Sequence, residues 1–176
     1  MRISLEEALG DYWKSAYLAA CQICRSSQDA EDAAEDAFVR YYDSGMQFDS
    51  REHIRAWLIR VSLNCARNIE RSPWHRRRII TEVTEEGQAD TPEYTVGFAP
   101  SAEEELMRQE RSAALTQAVE ELPARCRIVI HLYYYENVSC EEIAEILEIS
   151  SAAVRQRLSR ARKILKNKLK EVISDD

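Results

Sequence analysis

The sequence predicts an all-α protein made of two small helical domains joined by an acidic flexible linker. Three observations predict it. Apolar residues recur at three- and four-residue spacing through most of the chain. Four glycines and four prolines are too few to punctuate a sheet. One stretch, 79–100, carries two glycines, two prolines and a run of acids, and keeps no period. The domains are therefore expected at 1–78 and 101–176, and a 45% hydrophobic content is enough to give each a core.

The first helix is expected at 5–25, with Leu5, Leu9, Tyr12, Ala16, Ala19 and Ile23 along its apolar side. Ser26 to Asp29 interrupts that pattern and supplies an N-cap for a second helix at 30–43. The apolar side of this second helix is Ala30, Ala33, Ala34, Ala37, Phe38 and Tyr41. A loop from Ser44 to Ser50 leads to a third helix at 51–72, ended by Pro73, with Ile54, Trp57, Leu58, Val61, Cys65 and Ile69 facing the core. Beyond the linker, Ser101 and Glu104 form a capping box that opens a helix to about 121. Pro123 starts the next helix, which runs to about Tyr135. Ser139 with Glu142 makes another capping box, and Ser150 caps a last helix reaching about 172.

A net charge of −7 argues against a nucleic-acid partner until it is divided along the chain. Residues 1–78 balance 12 basic against 12 acidic side chains, whereas 79–110 hold one basic and nine acidic. The stretch 151–170 holds eight Lys or Arg and no acid. A phosphate responds to charge within a Debye length of about 8 Å, so this local excess outweighs the global balance. No apolar run reaches 18 residues, and the acidic, amphipathic N-terminus is unlike a signal peptide, so a soluble cytoplasmic protein is expected. Five cysteines, an odd number, suit a reducing compartment. Cys21 and Cys24 form a CxxC inside a helical pattern, with no second pair and no nearby His to complete a zinc site, so packing is their expected role.

The stretch Ser139 to Arg162 has the spacing of a helix-turn-helix. Ile143, Ala144 and Leu147 face inward from a short helix, Ile149 fills the turn, and Val154 and Leu158 anchor the second helix. Arg155, Gln156, Ser159 and Arg160 project from the opposite side. Arg can fork onto guanine and Gln can pair with adenine. Arg157, Arg162, Lys163 and Lys166 suit phosphates, and the helix N-terminus at Ser151 offers free N–H groups to one more. In the third helix Arg60, Asn64, Arg67, Asn68 and Arg71 make an acid-free polar stripe that continues into Arg76 and Arg77. Such a stripe can follow a DNA strand, and a plain solvated face is the competing reading. Asp29, Glu31, Asp32, Glu35 and Asp36 make the second helix acidic at its start, which favours the helix dipole and also suits a basic protein partner.

Together these pieces resemble the extracytoplasmic-function, or group IV, sigma factors of the sigma-70 family. The resemblance rests on Asp29-Ala30-Glu31-Asp32-Ala33 and Phe38, on Ala56 to Asn64, on Leu122 to Arg127, on Glu141 to Leu147 and on Val154 to Arg162. It implies an alternative sigma factor that carries core RNA polymerase to promoters by recognising −10 and −35 elements. Asp32, Glu35, Asp36, Phe38 and Arg40 would dock on the β′ clamp helices. Gln47, Phe48, Arg60, Asn64, Arg67, Asn68, Arg71, Arg76 and Arg77 would hold the opened −10 element, a flipped base entering the 45–50 loop. Ser151, Arg155, Gln156, Arg157, Ser159, Arg160, Arg162 and Lys163 would read the −35 duplex, with the second domain leaning on the β flap. An anti-sigma factor is the expected inhibitor. Glu35, Ser62, Asn68, Glu148 and Ala153 depart from the residues usual in the family at those places.

No Walker-type loop, metal-ligand cluster or paired nucleophile and base appears at a useful spacing, so no enzyme, cofactor or small-molecule substrate is expected. The rival function is a polymerase-independent helix-turn-helix regulator, which would leave the acidic helix and the third helix's polar stripe without a task.

Overall fold

The computed structural model describes residues 1–72 and 113–174, and every regular element among them is a helix. The predicted Pro73 stop, the linker at 79–100, the Ser101 capping box, and Arg76 and Arg77 lie outside the described residues.

Serine starts each of the first three helices. In α1 (Leu5–Cys21) the Ser4 hydroxyl accepts from the Glu7 amide at 3.1 Å. In α2 (Ser27–Ser44) Ser26 accepts from the Asp29 amide at 3.1 Å, and in α3 (Arg51–Arg71) Ser50 accepts from that of His53 at 3.2 Å. Each bond satisfies an amide that no helical carbonyl can reach. α2 ends at Gly45, whose φ of 61° is the left-handed conformation a side chain resists. α1 stops at Cys21, earlier than the spacing predicts.

The three helices pack on a seam of small residues. Ala30, Ala33, Ala34 and Ala37 of α2 are fully buried, as are Ala16, Ala19 and Ala20 of α1, and side chains this small let helix axes approach closely. All six residues expected on the apolar side of α2 are buried. In α1, Leu9 is exposed and Ala8 takes its place in the core. Tyr41, Phe48 and Trp57 close one end, with ring centroids 5.8–6.2 Å apart. The Tyr41 hydroxyl donates to the Ile3 carbonyl at 3.0 Å, which ties the chain start to α2.

In the C-terminal half a helical stretch at 113–120 precedes α4 (Ala124–Ile130), α5 (Cys140–Leu147) and α6 (Ser151–Ser174). The helix expected to run unbroken to Tyr135 widens after Ile130 into a π-helical turn, His131–Tyr135, where the Glu136 amide donates back to the His131 carbonyl at 3.2 Å. The Ser139–Glu142 capping box forms with both of its bonds. Ser150 caps α6 through the Ala153 amide at 3.1 Å.

The two halves share a core. Ala19, Ile59 and Leu63 lie in one buried cluster with Leu122, Cys126, Ile130, Leu132, Ile143 and Val154. The expected core face of α3 is therefore only half of what it buries. Ile54, Leu58 and Cys65 face α1 and α2, while Ile59 and Leu63 on another side are 1% and 0% exposed. Ser62 is fully buried between these sides, and its hydroxyl donates to the Ala16 carbonyl at 2.8 Å, so the polar atom does not go unmatched.

Candidate nucleic-acid interface

α5 and α6 form the predicted helix-turn-helix. Ile143 and Ala144 of α5 meet Val154, Leu158 and Ala161 of α6, all of them buried. The turn passes through Glu148 at φ 55°, and the Ile149 amide donates to the Ala144 carbonyl at 3.0 Å. Glu148 thus adopts the left-handed conformation for which glycine is the easier residue. On the outward side of α6, Arg155, Gln156, Ser159, Arg160, Arg162 and Lys163 are exposed, while Ser151 and Arg157 are half-buried. Arg155 lies 3.5 Å from Glu141, a pair exposed enough to yield readily to a base edge. Arg162 donates through Nε to the Tyr134 hydroxyl at 2.9 Å and sits over the Tyr133 and Tyr134 rings at 5.6 and 5.7 Å. Its fork is held against the π-helical turn rather than loose in solvent.

The polar stripe of α3 is present but partly enclosed. Asn64, Asn68 and Arg71 are exposed, and Arg60 and Arg67 are half-buried. Arg60 lies 3.9 Å from Glu148 of the turn, and Arg67 donates to the Asn64 side chain at 2.8 Å. Burial, then the neighbouring charges of Arg71 and Arg157, pull the Arg67 guanidinium below its ordinary pKa, with Glu148 opposing them. The two expected DNA-reading regions, separated by 90 residues of sequence, are thereby neighbours.

In the 45–50 loop Gln47 is exposed, and Phe48 is 8% exposed and packs between Tyr41 and Trp57. The loop borders a hollow of about 270 Å³ that Met46, Trp57 and Arg60 share with Glu142, Glu145 and Ile146 of α5. On α2, Asp32, Glu35, Asp36 and Arg40 are exposed, whereas Phe38, on the apolar side, is 3% exposed and packs against Trp13. An aromatic in a recognition motif that also falls on the apolar helix face goes to the core, because burying it stabilises more than exposing it. The spacing passed over Val39 and Tyr42, which are 56% and 62% exposed beside those acids. Their signal in the sequence was apolar character off the core face.

The thiols fit packing. Cys24 is buried, and burial, with Glu70 and Asp29 nearby, pushes its pKa up to about 12, while burial also raises that of Cys21. Among the described residues no three His, Cys, Asp or Glu side chains gather to hold a metal ion, and no helix is long and apolar enough to cross a membrane.

Two family models match the chain. Sigma-70 region 2 matches residues 12–82, over α1 to α3, and Sigma-70 region 4 matches residues 112–165, over the helix-turn-helix. The chain belongs to the sigma-70 family. This sigma factor is 35% identical over 153 residues to the Xanthomonas campestris protein named "Probable RNA polymerase sigma factor RfaY", covering 85% of this chain and 36% of that longer protein. It is 28% identical to the RNA polymerase sigma-H factor of Pseudomonas aeruginosa, over 85% of this chain and 77% of that one. To the ECF sigma factor SigW of Bacillus subtilis it is 28% identical, over 92% and 87% of the two chains. Among solved structures its fold matches the sigma factor RpoE of Bartonella quintana, crystallised with the anti-sigma factor NepR, at a TM-score of 0.62 and 21% identity over 94% and 96% of the two chains. Sigma factors are DNA-binding transcription-initiation factors, and region 4 is the part that holds the helix-turn-helix.

Proposed function

We propose that this sigma factor is an alternative, ECF-type initiation subunit that binds core RNA polymerase and directs it to promoters through −10 and −35 elements. The observation that carries this reading is the helix-turn-helix of α5 and α6, with no acid between residues 151 and 170 of α6, in one chain with an α3 stripe of Arg and Asn. α6 reads the −35 duplex. Arg155, Gln156, Ser159 and Arg160 face base edges; Arg157, Arg162 and Lys163 meet phosphates, and the helix start at Ser151 contributes amides. Asn64 and Asn68 read the opened −10 strand while Arg60, Arg67 and Arg71 track its backbone, Arg76 and Arg77 extend the track, and Gln47 lies at the flipped base. Asp32, Glu35, Asp36 and Arg40, with Val39 and Tyr42, face the β′ clamp helices. Region 4 leans on the β flap. Residues 1–78 and 101–176 act as the two functional units, 79–100 as the acidic connection between them. An anti-sigma factor covers the α2 face in the inhibited state. The chain works in the cytoplasm and catalyses no reaction of its own.

The test is runoff transcription by core polymerase, with and without this protein, on genomic fragments that include its own upstream region. A protein-dependent transcript from a fixed start, lost in Arg155→Ala and in Asn64→Ala, is the expected result. No transcript and no binding to core would transfer the helix-turn-helix to a polymerase-independent regulator.

A further inference from the structure

Two outward-facing arginines of α6 are held in different ways. Arg155 faces the exposed carboxylate of Glu141 at 3.5 Å, a loose pair that leaves a base-reading fork free to adjust. Arg162 has no carboxylate within ion-pair distance among the described residues. Its Nε donates instead to the Tyr134 hydroxyl at 2.9 Å, and its guanidinium lies over the Tyr133 and Tyr134 rings at 5.6 and 5.7 Å. Arg162 follows Arg155 by two helical turns, which places it on the same line of the helix about 10 Å further along. A recognition helix reads bases from its first turns, and the later ones pass the groove edge, where the duplex presents phosphates.

The two tyrosines form a braced pair. Tyr133 is half-buried and packs against the shared core, while Tyr134 is 52% exposed. Their rings meet edge to face, 5.0 Å apart. In an α-helix consecutive side chains diverge by about 100°. The wider π-helical turn takes more residues per turn, so consecutive side chains come closer around the axis and can flank one guanidinium.

We propose that Tyr134 is a positioning residue for DNA binding: braced by Tyr133, it holds Arg162 so that the two terminal nitrogens are kept ready for one phosphate of the duplex.

The arrangement divides the donors of Arg162. Nε is used by the tyrosine, and the terminal nitrogens have no hydrogen bond among the described residues. A planar fork of that kind matches two oxygens of a phosphate. A long side chain that is free in solution loses rotamer freedom when it fixes on a ligand. In Arg162 that ordering has taken place on folding, so it no longer weakens binding. A fixed phosphate contact also sets the register in which Arg155 meets the bases. The proposal rests on the assignment of α6 to the duplex.

The experiment titrates the full chain against a labelled short duplex of mixed sequence, by fluorescence anisotropy at several salt concentrations. Mixed sequence suffices because a phosphate contact does not depend on the bases. Tyr134→Phe is expected to weaken binding about fivefold, the size of one lost hydrogen bond, with the salt slope unchanged because the same phosphate is still met. Arg162→Ala lowers the slope by about one. In the Arg162→Ala background, Tyr134→Phe has no further effect. Equal weakening in both backgrounds overturns the proposal, because Tyr134 would then act without Arg162. No weakening by Tyr134→Phe, or an unchanged slope in Arg162→Ala, overturns it too. An NMR spectrum of the free chain gives a second readout that needs no DNA. The Arg162 Nε–H signal is expected upfield of other arginines and slow to exchange, and Tyr134→Leu returns it to the ordinary position. An ordinary, fast-exchanging signal in the wild-type chain overturns the hold. A chain that shows the coupling yet gives no transcript with core polymerase keeps the positioning role and strikes the sigma-factor reading instead.

Discussion

α6 and α3 are both long helices with a cation-rich side, and they hold their cations differently. In α6 a single apolar line, Val154, Leu158 and Ala161, anchors the helix, and most of the remaining circumference is solvated. In α3 two sides are buried, Ile54, Leu58 and Cys65 against α1 and α2, Ile59 and Leu63 in the core shared with region 4. The polar stripe is squeezed at their margin. Most cations of α6 are open to solvent, whereas Arg60 and Arg67 of the α3 stripe are half-buried, even though both helices carry the same kinds of side chain.

The comparison breaks most visibly at Leu63. If the second side of α3 is core, Leu63→Ala lowers unfolding stability by about 2–5 kcal/mol, as does Leu158→Ala in α6. Leu63→Ala also weakens region 4, so hydrogen exchange in α5 should accelerate. A cost confined to α1–α3, or one under about 0.5 kcal/mol, would mean that region 4 does not cover this residue. Next comes Arg55→Ala, which takes a donor at 2.7 Å from the enclosed Glu136 carboxylate and is expected to cost about 3 kcal/mol in a urea melt. The same change at exposed Arg155 separates it from Glu141 at almost no cost in stability. Its effect falls on binding, where loss of a base-reading fork reduces promoter affinity by about 1–3 kcal/mol in a fluorescence anisotropy titration. Lys163→Ala should instead weaken all sequences alike and lower the salt slope by about one.

Acid titration sharpens the contrast. Burial alone would raise the Glu136 pKa, but the nearby His131 ring, the Ser15 hydroxyl as donor and the charge of Arg55 outweigh it and hold the carboxyl at about 2. A carboxyl depressed in the folded state stabilises fully above its unfolded value near 4.5, and that contribution is lost as pH falls from there toward 2. Stability should accordingly hold this contribution through neutral pH and lose it only in acid, as read by urea melts against pH. A midpoint near neutrality would assign the transition to another group. The smallest effect is expected at the turn. Glu148→Gly relieves a left-handed φ of 55° and should add about 1 kcal/mol to the stability of the helix-turn-helix, while forfeiting only the long contact to Arg60.

How far the sequence could be read depended on how local the cause was. The serine caps at Ser26, Ser139 and Ser150 were legible because each bonds within three residues of itself. The apolar side of α2 was legible because a helix with one buried face has one period to show. The π-helical turn was not, since nothing in His131-Leu132-Tyr133-Tyr134-Tyr135 breaks a helical pattern. The widening places Glu136 toward Ser15 and Arg55, whose positions are set by other helices. Phe48 and Phe38 lie in the core, because burying a large ring stabilises more than exposing it.

The sequence by itself determined most of the helices, several of their caps, the helix-turn-helix and the acid-free stretch 151–170, all of which follow from spacing within a few turns of one helix. Only the tertiary structure decided that Ile59 and Leu63 are core, that Arg60 faces Glu148, and that Glu136 sits between Ser15 and Arg55. Periodicity reports which side of a helix avoids water, but not which distant segment covers it, and contacts between residues 80 or more apart leave no mark in either local pattern.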